Sequence, residues 1–226
     1  MPSKTRMGRR ADNPAIISTW RAAHSAALGV LSEKQYGHNI LMAFTGGDVK
    51  INIAMKTRRT KDINEAERSA MVRLCTEAHQ VDFGPLFSFL PPDGLHVLAY
   101  DDGHLVSHAV VTTRWLQPDN LPLLKTAYVD AVATDPAYQR QGIGSFVMTH
   151  LASVIQDYEL ACLETERVSF YAQLGWEEWR GPLAGRKGTE LMPTPDQKGI
   201  MILRLTHTPP LDLNGSLTVE YDGRIW

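Results

Sequence analysis

The sequence predicts an α/β domain built around a mixed sheet. Apolar segments with the alternation of strands and segments with helical spacing follow one another in the order β-α-β-β-β-α-β-α-β. One of the strands ends at Thr134 and leads through a polar turn into a glycine-containing helix start. At 226 residues, 43% of them hydrophobic, the chain suits one globular domain of ordinary size with an appendage.

The appendage is predicted at residues 1–47, and the main domain at residues 48–226. The first segment is rich in Lys and Arg and nearly free of acids, as transit peptides and basic tails are. Asn13–Leu31 could form an alanine-rich helix, so we expect a basic extension that is partly helical or disordered. A true start codon at Met42 or Met55 is an alternative explanation.

Charge divides the chain in a similar way. Residues 1–61 contain eleven Lys or Arg and three Asp or Glu, net +8, and residues 62–226 contain twelve and twenty-two, net −10, which together give −2. An acidic domain suits a cationic small molecule better than a nucleic acid. No apolar run reaches the roughly 18 residues of a membrane span. We therefore expect a cytoplasmic protein without nucleic-acid or membrane partners; a homodimer stays open.

The first half of the domain is predicted from alternation and turn residues. A D-x-x-E pattern at Asp62 predicts a helix that ends near His79. The proline-containing segment Gln80–Gly94 is predicted to be a loop that walls the substrate site, and Asp101–Gly103 to be a hairpin turn. The predicted strands are Val49–Met55, Leu95–Tyr100, Leu105–Trp115 and Lys125–Thr134.

The second half is predicted in the same manner. A helix starts at Ile143, because its apolar residues recur at helical spacing. The segment Gly181–Gly199 is rich in Gly and Pro and is predicted to be a long binding loop. The remaining predicted elements are a strand at Leu160–Thr165, a short helix around Tyr171, a strand at Ile200–Leu205 and a strand before Trp226.

The turn Gln139–Gly144 is the most informative motif. Backbone N–H groups at a helix start lack partners inside the helix and lie at the positive end of its dipole, so they can bind a phosphate or pyrophosphate. Gly142 lets the backbone approach such an anion without a Cβ, and Gln139 and Arg140 can add donors. A strand–turn–helix unit without any ligand is the alternative.

A second block, Phe170–Trp176, follows the next predicted strand. Together, the Q-x-x-G-x-G turn and this Y-x-x-x-G-[FW] segment resemble the GCN5-related N-acetyltransferase superfamily. The resemblance implies acetyl-CoA as cosubstrate and a mixed, mostly antiparallel sheet, flanked by helices and splayed at the acetyl-CoA strand. It makes Tyr171 the acid that protonates the departing thiolate; simple packing beside Phe170 is the alternative. It implies cofactor contacts at Val132, Ala133, Thr134, Gln139, Arg140, Gln141, Gly142, Ile143 and Gly144.

A narrower resemblance covers roughly Ile51–Trp226. Gly181-Pro182, the Pro193–Asp196 segment and the final tryptophan are similar to aminoglycoside 2′-N-acetyltransferases. In that family acidic groups hold the amines of the antibiotic, and a strand carboxylate activates the reacting amine through water; here this base would be Asp130. The implied substrate contacts are Asp82, Asp130, Asp196 and the carboxylate of Trp226.

The chain departs from this pattern where the family tends to carry further carboxylates, at Phe87, Gln197 and Arg224. The loss of negative charge would suit a substrate with few amines, and Arg224, helped by Arg186 or Lys187, would suit one with a carboxylate. Kasugamycin is an aminoglycoside of this type. Drift at surface positions is the alternative explanation.

Other functions remain open at this stage. The acceptor could be a peptide, or the domain could bind CoA without catalysis. Cys75 and Cys162 show no metal spacing, and Cys162 as a nucleophile is a weaker alternative to a buried strand cysteine. The histidines form no metal-binding pattern, so we expect no metal. His104 and His108 alternate on a strand and are expected at the surface or as walls.

Overall fold

A twisted sheet with helices packed against it forms the described part of the chain, residues 40–46 and 49–226 of a computed structural model. Most of the predicted extension at residues 1–47 lies outside these residues. Its last part forms a strand, Ile40–Gly46, which pairs antiparallel with the next strand. The sheet therefore continues into the segment that the sequence assigns to the extension, and the boundary at residue 47 stays a prediction.

Strands and helices are numbered here in chain order. The strands are β1 (Ile40–Gly46), β2 (Val49–Arg59), β3 (Leu95–Asp101), β4 (His104–Pro118), β5 (Leu124–Thr134), β6 (Leu160–Glu164), β7 (Glu177–Glu178), β8 (Leu183–Lys187), β9 (Glu190–Pro193), β10 (Ile200–Arg204) and β11 (Leu217–Glu220). The α-helices are α1 (Glu65–His79), α2 (Gly84–Phe89), α3 (Ile143–Val154) and α4 (Val168–Gln173). Short 3₁₀ turns lie at Thr60–Asp62 and Pro136–Tyr138.

The main path of the sheet runs β1-β2-β3-β4-β5-β6-β10-β7. All neighbours on this path are antiparallel except β5 and β6, which are parallel and joined through α3. β11 pairs antiparallel with β4 and parallel with β8, which forms a hairpin with β9. The predicted α/β class with a mixed, mostly antiparallel sheet is confirmed.

Helix α1 begins later than the sequence predicts. Asp62 ends a 3₁₀ turn, and Asn64 caps the helix instead. The Asn64 side chain accepts from the Glu67 N–H at 2.9 Å, and Glu67 accepts from the Asn64 N–H at 3.2 Å. The capping box is therefore formed two residues further along than the D-x-x-E pattern indicates. The predicted end at His79 is correct.

Two predicted loops contain regular structure. Gln80–Gly94 includes α2, which starts beside Pro85 and buries Phe87. Gly181–Gly199 includes the β8–β9 hairpin, because β8 finds a distant partner in β11. The β8–β9 hairpin could not be predicted from local composition, since the pairing that stabilises β8 comes from residues far along the chain.

The sheet opens between β5 and β6. These strands pair from Thr126 to Val129 on β5, and β6 ends soon afterwards while β5 continues to Thr134. At the same place β5 carries a bulge: its register with β4 shifts between His108 and Val110, and Ala131 has a φ of 50°. A bulge bends its strand and increases its twist, so β5 diverges from β6 beyond this point.

The chain after β10 packs against the opposite half of the sheet from α1. Trp226 and Leu217 belong to a buried cluster with Tyr128 of β5. Arg114 on β4 donates to the backbone carbonyl of Arg224 at 2.9 Å and to that of Ile225 at 2.5 Å, and its guanidinium lies 4.5 Å from the Tyr128 ring centroid. These contacts fix the last residues of the chain beside the opening in the sheet.

Gly199, which precedes β10, allows a close backbone contact that fixes the end of β6. A Cβ at Gly199 would lie 1.9 Å from the Thr165 carbonyl oxygen, and the residue has a φ of 69°. Gly188 has a similar φ of 60° but nothing within 4 Å of a Cβ. We expect Gly188→Ala to cost about 1 kcal/mol of unfolding free energy, from backbone strain alone. Gly199→Ala should cost several kcal/mol more, because backbone must move.

Urea unfolding of the two variants and the wild-type protein measures this difference directly. Equal losses of stability in the two variants would contradict the close contact between Gly199 and Thr165.

Candidate active site

The free edge of β5 begins where its pairing with β6 stops. Beyond Val129, within the described residues, β5 has no strand partner on the β6 side. An extended chain that carries amides can add to such an edge as an extra strand. Val132, Ala133 and Thr134 lie in this segment, and His79 of α1 contacts the Val132 carbonyl oxygen at 3.0 Å. The segment can therefore hold the extended arm of a cofactor.

The glycine turn leads from this edge into α3. Gly142 is the N-cap of α3 with a φ of 86°, and no side chain caps the helix start. The first N–H groups of α3 thus stay available for an anion. A Cβ at Gly144 would lie 3.1 Å from Thr134 Oγ1, so this glycine lets the helix start lie against the end of β5. The geometry fits the predicted diphosphate site.

Two glutamines of the turn stabilise the turn itself. Gln139 donates its side-chain amide to the Thr134 carbonyl at 3.0 Å, and Gln141 donates to the Ala137 carbonyl at 2.9 Å. Arg140 has a φ of 61° and an exposed side chain. Of the polar side chains predicted to bind the anion, Arg140 is the one that points into solvent beside the turn.

Tyr171 lies on α4, where its ring is 7% exposed and meets Trp176 edge-on at 6.0 Å between centroids. In the part of the chain that the structure describes, its hydroxyl makes no hydrogen bond. Burial raises the pKa of Tyr171 to about 12, although nearby Arg167 opposes the shift. The phenol therefore stays protonated at neutral pH and can serve as a proton donor.

Asp130 and Arg224 form an ion pair at the start of the free edge. Arg224 Nη2 lies 2.5 Å from Asp130 Oδ1, and the Asp130 side chain is 16% exposed. Arg224 was predicted to bind a carboxylate of the substrate; the structure shows it bound to Asp130 instead. Among the described residues, no hydrogen bond is made to the second oxygen of Asp130, Oδ2.

The other two cations of that prediction also have partners. Arg186 donates to Gln117 Oε1 at 2.5 Å and lies 3.6 Å from Glu220, and Lys187 pairs with Asp222 at 3.2 Å. Lys187 is thus paired, whereas Arg186 Nε and Nη2 are buried and make no hydrogen bond among the described residues. The predicted role of Arg224, Arg186 and Lys187 towards a substrate carboxylate stays a prediction.

Further polar side chains lie near the Asp130–Arg224 pair. One of them, Glu164, is not among the residues that the sequence predicts. Gln197 donates to Glu164 Oε1 at 2.8 Å, and Trp226 donates its ring N–H to Thr194 Oγ1 at 2.9 Å. Glu164 ends β6, one residue beyond the register partner of Val129. The parallel register of β5 and β6 brings Glu164 to the level of Asp130, and no local sequence signal gives that register.

Two predicted acidic contacts lie on separate loops. Asp82 precedes α2 and accepts from the Gly84 N–H at 2.8 Å. Asp196 is exposed in the segment between β9 and β10. Neither makes a direct contact with Asp130 among the described residues, and their roles stay predictions. Phe87, expected on the substrate side, is 6% exposed and packs in a buried cluster that contains Ala131.

Phe87 covers a pair of buried histidines. His108 was expected at the surface or as a wall, but it is 0% exposed, and His96 is 1% exposed. His96 Nδ1 lies 3.0 Å from His108 Nε2, and His108 Nδ1 lies 2.9 Å from the Ala131 carbonyl oxygen. The expectation failed because both faces of β4 are covered at this point, by α1 and by α3.

The cysteines are buried thiols. Burial raises the pKa of Cys75 to about 12 and raises that of Cys162 as well. Neither is a thiolate at neutral pH, which argues against Cys162 as a nucleophile.

Among the residues described, no three His, Cys, Asp or Glu side chains gather as a metal-binding group. No helix of the same residues is long and apolar enough to cross a membrane.

Comparison with known proteins agrees with this arrangement. Residues 92–178 match the model of the acetyltransferase (GNAT) domain. An aminoglycoside 2′-N-acetyltransferase from Mycolicibacterium fortuitum is 29% identical over 175 residues, which cover 74% of this chain and 89% of that protein. Both predicted resemblances are confirmed.

A solved structure shows the same fold. A GNAT family N-acetyltransferase (YhbS) from Escherichia coli, in complex with CoA, aligns with a TM-score of 0.52 at 16% identity, over 79% of this chain and 94% of that one. Eis1 from Mycobacterium abscessus aligns with a TM-score of 0.48 at 20% identity, over 57% of this chain and 32% of that chain. This chain thus spans about a third of Eis1.

The buried histidines make stability depend on pH. Burial lowers the pKa of His96 to about 4, and burial together with the nearby His96 lowers that of His108 to about 3. The unfolded chain takes up protons below pH 6.5 that the folded protein does not. We expect the unfolding free energy to be highest above about pH 6.5 and to fall as the pH is lowered towards 4. The expected loss is a few kcal/mol, because each unit of pKa difference between the folded and unfolded states corresponds to about 1.4 kcal/mol.

Urea unfolding across this pH range measures the slope. His96→Gln should flatten it, whereas His104→Gln, at an exposed position of the same hairpin, should leave it unchanged. Identical slopes in all three proteins would mean that other groups cause the loss.

Proposed function

Since this chain is an acetyltransferase of the GNAT type, we propose that it transfers the acetyl group of acetyl-CoA to the 2′-amino group of an aminoglycoside. It would thereby confer antibiotic resistance in the cytoplasm. The observation that carries the proposal is the position of Asp130, which lies where the free edge of β5 begins, beside Arg224 and one strand from Glu164. The similarity to the enzyme from Mycolicibacterium fortuitum supports the substrate class.

The residues present fit acetyl-CoA. The uncapped start of α3 at Gly142 offers N–H groups to the diphosphate, and Arg140 lies beside it in solvent. The free edge at Val132–Thr134 offers backbone groups to the amide-bearing pantetheine arm. When bound, acetyl-CoA supplies an activated acetyl thioester.

Three groups of the chain then divide the chemistry. Asp130 Oδ2 accepts the proton of the attacking amine through a water, because an ammonium cannot attack. The Val132 N–H donates to the carbonyl oxygen as negative charge develops there. Tyr171 gives its proton to the sulfur as the C–S bond breaks and the C–N bond forms. No covalent acetyl-enzyme is needed, and positioning of the two substrates supplies much of the rate.

Tyr171→Phe removes the proton donor and keeps the ring that packs on Trp176. We expect kcat to fall by about 10²- to 10⁴-fold, the range for a lost general acid, while the Kd for CoA changes little. Thiol release and calorimetric CoA binding measure the two quantities. Phe170→Leu, which alters the neighbouring ring but no acid, is the control. An unchanged kcat in Tyr171→Phe would exclude this tyrosine as the acid.

The charges around Asp130 affect which aminoglycosides the site would bind. Arg224 neutralises Asp130, and Gln197 occupies one oxygen of Glu164. Less negative charge remains free for binding several ammonium groups than the carboxylates alone would provide. The site therefore suits an aminoglycoside with few amines, and kasugamycin is the member of the class that we propose. Arg224, Arg186 and Lys187 already have acidic neighbours in Asp130, Glu220 and Asp222, so the preference would come from amine count.

A panel of aminoglycosides tests this proposal. The wild-type protein should acetylate kasugamycin with a higher kcat/KM than gentamicin-type compounds. Arg224→Gln should raise kcat/KM for the gentamicin type by about fivefold, the factor given by about 1 kcal/mol of added attraction. Lys187→Gln removes the same charge from the Asp222 pair and should change nothing. Turnover of gentamicin-type compounds alone would refute the charge reasoning, and turnover of peptides alone would refute the substrate class.

A further inference from the structure

A line of hydrogen bonds enters the core at Thr60 and ends at the bulge of β5. Thr60 Oγ1 lies 3.0 Å from His96 Nε2, and the line continues through His96 and His108 to the Ala131 carbonyl oxygen. The thiol of Cys75 also donates to this oxygen, at 3.7 Å. A buried polar network is costly unless each member has a partner, and none of the proposed catalytic steps uses these histidines.

The line has a defined direction. The Ala131 carbonyl can only accept, so His108 Nδ1 carries a hydrogen. Because burial keeps His108 neutral, its Nε2 is the acceptor, and His96 Nδ1 must be the donor. Burial keeps His96 neutral as well, so its Nε2 accepts from the Thr60 hydroxyl, which also lies 3.3 Å from the Gly94 carbonyl oxygen. Every donor in the line therefore points towards Ala131, and the tautomers of both histidines are fixed.

Ala131 needs such a partner. Its φ of 50° lies in the left-handed region, which costs a residue with a Cβ roughly 1 kcal/mol or more. No glycine relieves this strain, so contacts must hold the backbone in place. The hydrogen bond from His108 holds the Ala131 carbonyl against the core, where α1 and Phe87 cover it.

The orientation of this carbonyl fixes the next N–H. The Ala131–Val132 peptide bond is trans, as are all described peptide bonds. In a trans peptide the C=O and the following N–H point in opposite directions. With the Ala131 oxygen turned towards His108, the Val132 N–H is directed away from the histidines and out of this core. A hydrogen bond to the carbonyl also polarises the peptide unit and strengthens its N–H as a donor.

We propose that His108, supported by His96 and Thr60, is a positioning residue that aims the Val132 N–H at the thioester carbonyl. The inference rests on the proposed role of this N–H in acetyl transfer, and it is independent of which amine accepts the acetyl group. His108 touches neither substrate; it acts through the Ala131–Val132 peptide.

Two amide variants at His108 separate this role from packing. In His108→Asn the side-chain amide replaces Nδ1 and can still donate to the Ala131 carbonyl. In His108→Gln the amide reaches the position of Nε2, and the donor to Ala131 is lost. Both variants are neutral, polar and smaller than histidine, so each is the control for the other. Phe87→Leu alters packing on the His108 ring, at 5.6 Å between centroids, without changing a hydrogen bond.

The readout is the infrared stretch of the thioester carbonyl in bound acetyl-CoA, labelled with ¹³C at the acetyl carbonyl. The stretch should lie at lower frequency in the wild-type complex than in free acetyl-CoA. It should stay low in His108→Asn and Phe87→Leu, and return towards the free value in His108→Gln. The affinity for CoA, which lacks the acetyl carbonyl, should be the same in all four proteins. With any amine that is turned over, His108→Gln should lower kcat about 10- to 100-fold.

Two results would overturn the proposal. One is a carbonyl stretching frequency in the wild-type complex that equals that of free acetyl-CoA, which would show that the hydrogen bond to the thioester carbonyl is not formed. The other is the same stretching frequency in His108→Gln as in the wild-type protein, which would show that His108 does not position the Val132 N–H. Neither result depends on the acceptor amine. A lack of turnover across the aminoglycoside panel can therefore be distinguished from a failure of this inference.

Discussion

The bulge in β5 is the constraint on which the rest of the site depends. The hydrogen bond from His108 to the Ala131 carbonyl holds the bulge in a backbone conformation that alanine does not favour. Because β5 bends there, its pairing with β6 stops and its edge becomes free. The same bend places Asp130 before the bulge and Val132 after it. The proposed base, Asp130, and the proposed N–H donor, Val132, are thus separated by one strained residue.

The last residues of the chain complete the acceptor side. Arg114 binds two of their backbone carbonyls, and Trp226 is buried in the core cluster under β5. This arrangement brings Arg224 onto Asp130, although the two lie far apart in sequence. The charge presented to a substrate is therefore set by tertiary contacts. The sequence shows an arginine where the family tends to carry a carboxylate, but it does not show that this arginine pairs with Asp130.

Local patterns predicted the cofactor side well, because its chemistry is local. The glycine turn, the start of α3 at Ile143 and the position of Tyr171 on a short helix all follow from neighbours in the chain. The β3–β4 hairpin at Asp101–Gly103 was predicted for the same reason. The roles of these residues towards acetyl-CoA remain proposals that rest on geometry and resemblance.

Long-range contacts explain what the sequence did not reveal. His108 follows the exposed His104 at strand spacing, and this pair of polar side chains gives no sign that α1 and α3 cover β4 at His108. The β8–β9 hairpin depends on β11, and Glu164 acquires its place beside Asp130 through the parallel pairing of β6. Each of these features requires partners that are distant in sequence, so neither periodicity nor composition could indicate them.

The most direct test of this account is a crystal structure of the protein with a stable acetyl-CoA analogue that retains the acetyl carbonyl. We expect the pantetheine arm along Val132–Thr134, the diphosphate at the start of α3, and the carbonyl oxygen at about 2.9 Å from the Val132 nitrogen. An analogue bound elsewhere, or a carbonyl turned away from Val132 with Ala131 in an ordinary strand conformation, would contradict the central role of the bulge.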